Sequence, residues 1–171
     1  EAIRLHSPDS FFINASTNRV YGQMSGTPIE VRYERYQYRD LVRGVDEHQA
    51  LDFHSPYGCS KGVGDQYTLD YSRIFNLRSV TFRQSCIYGQ RQFGNEDQGW
   101  VAWFAIASVL DKPITVYGDG KQVRDILWVD DLNRAYEAAI LHQDSVNGHA
   151  INIGGGPTNV LSLLELISRL R

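Results

Sequence analysis

Apolar residues in this chain follow two patterns, short continuous runs and longer repeats at helical spacing. Residues 11–15, 78–83 and 150–154 are short segments rich in apolar and β-branched residues and bounded by turns, which is typical of buried parallel strands. Apolar residues recur at helical spacing over 98–110 and 129–142. Strands that alternate with helices predict an α/β fold built on a parallel sheet.

A further helix is predicted over about 56–76. Ser55 can cap its first turn and Pro56 suits the first helical position. Gly62 and Gly64 lie inside this helix, where each costs about 1 kcal/mol relative to alanine. We therefore expect a sheet, a cofactor or a partner helix to approach closely at these glycines.

The remaining segments are less regular. Residues 113–117, with the sequence PITVY, predict a short strand that ends at the turn 118–120. Residues 23–54 are rich in Tyr, Arg, Gln and Asp without a clear period, and we interpret them as a covering loop rather than a nucleic-acid patch. Residues 1–6 resemble the end of a helix and 161–171 an amphipathic helix, so we expect a piece of a longer protein.

The composition predicts one globular domain and gives no reason to expect nucleic-acid or membrane binding. The 171 residues, 42% of them hydrophobic, can fill one core, and the net charge of −3 is spread over both signs. Apolar runs stay well short of a membrane span and a signal peptide is lacking, so a cytoplasmic protein is expected. Cys59 and Cys86 do not have zinc-ligand spacing, which predicts no metal site and two small buried side chains.

Tyr57 and Lys61 are the strongest candidates for chemistry. Four residues separate them, so on a helix they share one face. An isolated tyrosine phenol has a pKa of about 10 and is a poor base at neutral pH, but a neighbouring cation favours its ionised form. A second positive charge, such as an oxidised nicotinamide ring, would favour it further. This pair suits proton removal from a sugar or alcohol hydroxyl during hydride transfer, although many Tyr–Lys pairs are merely solvated.

Four short sequence motifs follow one another along the chain. They read STNRVYG at 16–22, YGCSK at 57–61, YGQRQ at 88–92 and YGDGKQVRD at 117–125. Together they resemble extended short-chain dehydrogenase/reductases that act on nucleotide sugars, over nearly the whole chain. The resemblance implies a Rossmann-type fold that binds NAD, with a smaller part that closes over the sugar nucleotide.

The resemblance also implies a division of the chain. Residues 1–88 and 126–153 would form the second half of the NAD-binding domain, and 89–125 and 154–171 would form part of the sugar-nucleotide-binding region. The glycine-rich phosphate loop of the family would lie before Glu1. The GGGP loop ending at Pro157 is not a substitute, because it lacks the GxGxxG spacing.

Catalytic and cofactor-binding roles follow from the same resemblance. Tyr57 would be the base, Lys61 would favour its ionised form and hold the nicotinamide ribose, and Thr17 would bind the reacting hydroxyl. Ser85 would contact the cofactor. Thr17 could instead be a strand-end cap, and Ser85 an ordinary serine at the end of a strand.

Arginines are the candidates for substrate binding. Arg124 and Arg91 match family positions that meet the nucleotide diphosphate, where a planar guanidinium can form two parallel hydrogen bonds. Arg124 could instead form an ordinary surface salt bridge. Trp100 and Trp103 could line a base pocket or pack in the core.

Departures from the family pattern narrow the expected reaction. Sugar 4,6-dehydratases carry Asp and Glu after the threonine for acid–base work, whereas this chain carries Asn18 and Arg19, which argues against dehydration. Cys86 stands where many relatives place an asparagine near the diphosphate. The sequences of segments 51–62 and 91–100 resemble those of family members that invert C2 of a CDP-linked 3,6-dideoxyhexose.

The expected function is therefore NAD-dependent epimerisation of a nucleotide sugar through a transient 2-keto sugar. A nucleotide-sugar 4-epimerase and an inactive sugar-nucleotide-binding fragment remain alternatives. We also expect a homo-oligomer in the full-length protein, formed through the helix that carries Gly62 and Gly64.

Overall fold

A computed structural model describes residues 1–41 and 43–170, in which helices and strands alternate. The helices are α1 (Ala2–His6), α2 (Pro56–Phe75), α3 (Trp100–Val109), α4 (Val129–Leu141), α5 (Gln143–Val146) and α6 (Leu163–Leu170). The strands are β1 (Phe12–Thr17), β2 (Ile29–Arg32), β3 (Arg35–Tyr38), β4 (Ser79–Gln84), β5 (Cys86–Tyr88), β6 (Val123–Trp128), β7 (Ala150–Ile153) and β8 (Val160–Ser162). A 3₁₀ turn, Asn18–Tyr21, follows β1. The predicted α/β class is confirmed.

Strands β1, β4 and β7 form a parallel sheet with β4 in the centre. Every residue of β4 is buried. Val80 and Phe82 pack in a core with Ala139 of α4, whereas Ser79 and Arg83 make side-chain hydrogen bonds with α2. Because side chains alternate along a strand, β4 presents an apolar face to α4 and a polar face to α2.

A second group of strands has its own core. β5 pairs in parallel with β6, β6 pairs antiparallel with β8, and β2 and β3 form an antiparallel hairpin. Phe104 and Leu166 are buried in the core of this group, and Trp100 and Trp103 pack against it. Core packing, one of the two interpretations of these tryptophans, is therefore observed.

The described chain divides into two compact units. The first comprises Glu1–Met24, Val45–Ser85 and Leu132–Ile153, and the second comprises the remaining segments around 25–44, 86–131 and from 154 onward. Residues 25–44, which the sequence prediction grouped with 1–88, thus belong to the second unit. The assignment of either region to NAD or to the sugar nucleotide stays a prediction.

Two segments differ from the sequence prediction. The prediction of a strand over residues 113–117 is wrong, because these residues form no strand in the structure. Their apolar side chains fit a strand, but a strand also needs a paired neighbour. In this unit β6 is the strand that is paired, with β5 on one side and β8 on the other. The segment 23–54 contains the hairpin of β2 and β3, which aperiodic Tyr and Arg residues concealed.

None of the helices described for this chain has both the length and the hydropathy that a membrane-spanning segment needs.

Candidate active site

The N-terminus of α2 carries Tyr57. The Ser55 hydroxyl accepts a hydrogen bond from the backbone N–H of Gly58 at 3.2 Å, and Pro56 occupies the first turn, as predicted. Tyr57 is 54% exposed, so its phenol is open to a ligand. The cap fixes where the helix begins and hence where this side chain leaves the backbone.

Lys61 connects this helix with β1. Its ammonium donates a hydrogen bond to the carbonyl oxygen of Ala15 at 2.9 Å, two residues before Thr17. A Cβ at Gly58 would lie 3.5 Å from the carbonyl oxygen of Arg19, so the first turn of α2 also lies close to the 3₁₀ turn. The structure therefore brings the helix of Tyr57 and Lys61 against the end of β1.

Thr17 is the last residue of β1 and is buried. Its hydroxyl oxygen accepts a hydrogen bond from the backbone N–H of Arg19 at 3.3 Å and so caps the 3₁₀ turn. The capping role that the sequence left open is thus observed. It occupies the oxygen as an acceptor, and the role of Thr17 toward a substrate hydroxyl stays a prediction.

A buried ion pair lies between α2 and the sheet, and its residues are not among the candidates predicted from the sequence. Arg83 donates to Asp65 through two parallel hydrogen bonds of 3.0 and 2.9 Å, and the Ser16 hydroxyl donates to the same carboxylate at 2.8 Å. Arg83 also donates to the Tyr21 hydroxyl at 3.0 Å, and that hydroxyl donates to the Asn152 side-chain oxygen at 2.7 Å. Asp65 is 0% and Arg83 4% exposed.

A signal for this pair was present in the sequence. Asp65 follows Lys61 by four residues and therefore continues the face of α2 that carries Tyr57 and Lys61. Arg83 is a charge at the end of a segment predicted as a buried strand. Charged residues are almost never fully buried without a partner, so these two positions could have been paired.

The surroundings of Arg83 shift its pKa. Burial lowers the pKa of the Arg83 guanidinium, but hydrogen bonds with the Asp65 carboxylate and the Tyr21 hydroxyl outweigh it and raise the pKa above its ordinary value. The Arg83 guanidinium therefore stays protonated.

Two other candidates lie near the end of β4. The backbone N–H of Ser85 donates to the carbonyl oxygen of Ile153 at 2.9 Å, which extends the sheet by one residue. The Cys86 sulfur accepts a hydrogen bond from the Trp100 indole at 3.0 Å. Cys59 is exposed, so the expectation that both cysteines are buried is wrong for it, because its position in the first turns of α2 faces outward.

Arg91 and Arg124 lie in the second unit. Both side chains are exposed. Arg91 has a backbone φ of 64°, a left-handed conformation that is uncommon outside glycine and worth attention near function. Arg124 lies on β6, where its guanidinium donates to the carbonyl oxygen of Val123 at 2.9 Å.

The glycine-rich loop 154–157 packs against β6 of the same unit. The backbone N–H of Gly155 donates to the Asp125 carboxylate at 2.6 Å, and a Cβ at Gly155 would collide with the carbonyl oxygen of Ile126. Gly155 therefore serves close packing, and its amide already has a hydrogen-bond partner. That this loop is not a phosphate cradle stays a prediction.

The groups around α2 include donors that a cofactor ribose could use. The Lys61 ammonium has three donors, of which Ala15 takes one, and the Tyr57 hydroxyl is exposed. Such donors suit ribose hydroxyls. Over the residues that the structure describes, no cluster of three or more His, Cys, Asp or Glu side chains could hold a metal ion.

Residues 1–154 match the NAD dependent epimerase/dehydratase family. The chain belongs to this family. It is 47% identical to CDP-paratose 2-epimerase of Salmonella typhi, over 99% of this chain and 52% of that protein. It is 29% identical to a putative UDP-glucose 4-epimerase of Methanocaldococcus jannaschii, over 98% of this chain and 48% of that protein.

A solved structure shares the fold. The UDP-glucuronic acid 4-epimerase of Bacillus cereus, in complex with UDP-glucuronic acid and NAD, is 32% identical, with a TM-score of 0.73 over 94% of this chain and 44% of that one. This likeness confirms the Rossmann-type fold. The chain spans about half the length of the curated relatives it matches.

Proposed function

We propose that these residues form the catalytic part of an NAD-dependent nucleotide-sugar epimerase, within a longer chain of the relatives' length. The proposed reaction converts CDP-paratose into CDP-tyvelose at C2. One observation carries the proposal: an exposed Tyr57 one turn before Lys61, whose ammonium binds the Ala15 carbonyl oxygen of β1, two residues before Thr17. The 47% identity to CDP-paratose 2-epimerase supports the choice of substrate.

Inversion at C2 needs oxidation rather than simple deprotonation. The carbon bears a hydroxyl and has no neighbouring carbonyl, so its hydrogen is not acidic. NAD, when bound, would supply hydride acceptance from C2 and its return to the other face of the 2-keto sugar. The protein's own task is to move the hydroxyl proton and to hold the flat 2-keto sugar while it presents its other face.

Tyr57 performs the proton transfer in this proposal. Its phenolate takes the hydroxyl proton as the C2–O bond becomes a carbonyl, and the phenol gives it back when the hydride returns. Lys61 lies one turn further on the same helix, so its positive charge stabilises the phenolate. Two of its N–H donors remain for the phenol and a ribose hydroxyl after Ala15 has taken the third.

The remaining predicted residues bind and orient. We assign Thr17 to the reacting hydroxyl, Ser85 to the cofactor, and Arg91 and Arg124 to the diphosphate. Asn18 and Arg19 follow Thr17 and are exposed, and neither can supply the acid–base pair of a dehydratase. This supports epimerisation over dehydration.

The experiment uses the full-length protein that contains these residues. It is incubated with NAD and CDP-paratose, and the configuration at C2 is followed by NMR. Appearance of the C2 epimer supports the proposal. Unchanged CDP-paratose together with inversion of a UDP-hexose at C4 would establish the second candidate, a nucleotide-sugar 4-epimerase, which the 29% identical relative favours.

We further propose that the full-length protein acts in the cytoplasm as a homo-oligomer. The outward side of α2 exposes several apolar side chains. These are Val63, Tyr67, Ile74 and Phe75. An exposed apolar stripe of this kind is typical of a protein interface. Sedimentation of the full-length protein as a monomer at micromolar concentration would contradict the oligomer.

A further inference from the structure

The chemistry proposed for Tyr57 leaves two buried charges without a task. Asp65 and Arg83 are almost completely buried and joined by two parallel hydrogen bonds. Burying such a pair costs several kcal/mol of desolvation per ion, and well-packed apolar residues of the same volume are often as stable or more so. Stability alone is therefore a weak reason for this pair, which raises the question of what it holds in place.

The pair is centred on one row of the parallel sheet. In register, Ser16 of β1 lies opposite Arg83 of β4, and Arg83 lies opposite Asn152 of β7. All three side chains belong to one hydrogen-bond network, in which Asp65 of α2 binds both Ser16 and Arg83. The next row of the sheet begins with Thr17.

The network forms hydrogen bonds at both ends of the segment 16–21, which contains Thr17. Ser16, directly before it, is bound by the Asp65 carboxylate, and Tyr21, four residues after it, is held between Arg83 and Asn152. Val20 and Tyr21 are buried. The end of β1 is thus bound by α2, through Asp65, and the 3₁₀ turn is bound by the sheet, through Arg83 and Asn152.

The network also fixes the helix of the proposed base. Lys61 and Asp65 lie at successive turns of α2, and they bind Ala15 and Ser16, which are successive residues of β1. Two adjacent contacts between the same helix and strand determine both the height and the rotation of the helix. Tyr57 is one turn further toward the N-terminus of that helix.

We propose that Asp65 and Arg83 are positioning residues that set Thr17 and the Tyr57–Lys61 face of α2 in the geometry for proton transfer. The inference rests on the proposed function, because it assigns the pair to that reaction. A displacement of about 1 Å at a catalytic group can cost on the order of 100-fold in rate. The rigid, bidentate Arg–carboxylate geometry supplies the orientation that apolar packing lacks.

The test replaces the pair with apolar residues of similar volume, Asp65→Leu with Arg83→Met, in the full-length protein. A double replacement avoids leaving one buried charge without its partner, which would destabilise the fold. The matched control is Asp70→Leu with Arg73→Met, which applies the same changes to an exposed pair on the same helix. Tyr21→Phe is a second variant that removes only one hydroxyl from the network.

Three quantities are measured for each variant: the thermal midpoint, kcat and KM for the nucleotide sugar, and hydrogen exchange of the backbone amides of 15–21. We expect the Asp65/Arg83 variant to keep its midpoint and, within about threefold, its KM, but to lose at least tenfold in kcat. Exchange over 15–21 should be faster. Tyr21→Phe should change kcat and exchange in the same direction, and the control should change neither.

The outcomes separate this inference from the proposed function. A wild-type kcat in the double variant would overturn the positioning role. If the unmodified protein inverts no nucleotide sugar, the proposed function fails, and exchange alone then decides: unchanged exchange over 15–21 in the folded double variant overturns the inference. A variant that unfolds leaves the decision to Tyr21→Phe, in which unchanged kcat and exchange would overturn it.

Discussion

Tyr57 begins a series of three side chains on one face of α2, followed one turn later by Lys61 and one turn after that by Asp65. The first is exposed, the second holds a carbonyl oxygen of β1, and the third is completely buried. Polarity and burial thus increase together along the face. The proposed base thus lies at the open end of the face, and the proposed positioning residue lies at the buried end.

Replacing Tyr57 with phenylalanine keeps the ring but removes the oxygen that, as a phenolate, accepts the substrate proton in the proposed reaction. We expect nearly complete loss of turnover, with nucleotide-sugar affinity within a few-fold of the unmodified protein, because the ring still fills its place. Steady-state kinetics and calorimetric binding check this in the full-length protein.

The matched control for that variant is Tyr67→Phe, an exposed tyrosine on the same helix. It should retain full turnover. Loss of both turnover and affinity in Tyr57→Phe would mean that the residue has a structural role instead.

The sequence predicted part of this site and missed the rest for a physical reason. The spacing of Tyr57 and Lys61 is local, so helical periodicity alone brought them to one face. The partnership of Asp65 with Arg83 spans 18 residues and depends on how a helix packs on a sheet. Periodicity cannot show which buried charge will meet which.

Elements are held together here by a few specific contacts. The predicted bounds of α2 agree with the structure because Ser55 and Pro56 are strong local signals. The pairing of β6 was missed because its strand neighbours, β5 and β8, are distant in sequence. Local capping is readable from a sequence, whereas strand pairing requires knowledge of the partner.

Gly62 and Gly64 should respond oppositely to alanine. A Cβ at Gly62 would collide with the Phe53 ring, whereas at Gly64 the nearest atom, in Asn14, would be 3.8 Å away. We expect Gly62→Ala to lower the free energy of unfolding by about 1–3 kcal/mol through overpacking. Gly64→Ala should raise it by up to about 1 kcal/mol, because alanine favours the helix.

Urea denaturation of the full-length protein measures both changes, and each variant serves as the control for the other. Effects of the same sign and size would mean that the Phe53 contact does not explain Gly62.

The hairpin of β2 and β3 is anchored by an ion pair within the second unit. Arg35 donates to the Glu165 carboxylate through two hydrogen bonds of 2.6 Å and also donates to the carbonyl oxygen of Val160 at 2.9 Å. The hydrogen bonds from Arg35 lower the pKa of Glu165 below its ordinary 4.5, although partial burial opposes this. The anchor therefore adds stability above that pH and loses it as the pH falls through the lowered pKa.

Glu165→Gln should remove this pH-dependent part of the stability. At pH 7 we expect a loss of about 1 kcal/mol, discounted because the pair is partly exposed to solvent. The difference from the unmodified protein should shrink as the pH falls below about 4.5, where the carboxylate itself becomes protonated. Urea denaturation at a series of pH values measures it.

Glu30→Gln is the control for that series, because Glu30 forms a more exposed ion pair with Arg32 of the same hairpin. It should change stability little at any pH. A constant difference between Glu165→Gln and the unmodified protein down to pH 3 would show that the carboxylate charge is not the cause.

The whole chain combines the proposed proton-transfer residues with a glycine-rich loop that lacks the GxGxxG spacing of a dinucleotide-binding loop. Tyr57, Lys61 and the supporting network all lie in one compact unit. The glycine-rich loop of the chain binds its own Asp125, and β1 pairs with β4 while its other edge meets no strand among residues 1–41 and 43–170. In the relatives, the chain corresponds to about half of the protein.

These facts lead to a prediction about residues 1–171 in isolation. The loop 154–157 lacks the GxGxxG spacing and its Gly155 amide already binds Asp125, so we expect no dinucleotide phosphate to bind there, and the open edge of β1 can pair with other chains. We expect the isolated residues to show no turnover, no submicromolar affinity for NAD and a tendency to aggregate. Calorimetry with NAD and light scattering measure these properties, with the full-length protein as the positive control. Submicromolar NAD binding by the isolated residues would mean that a phosphate site exists within them. It would contradict the expectation that the phosphate loop lies outside residues 1–171.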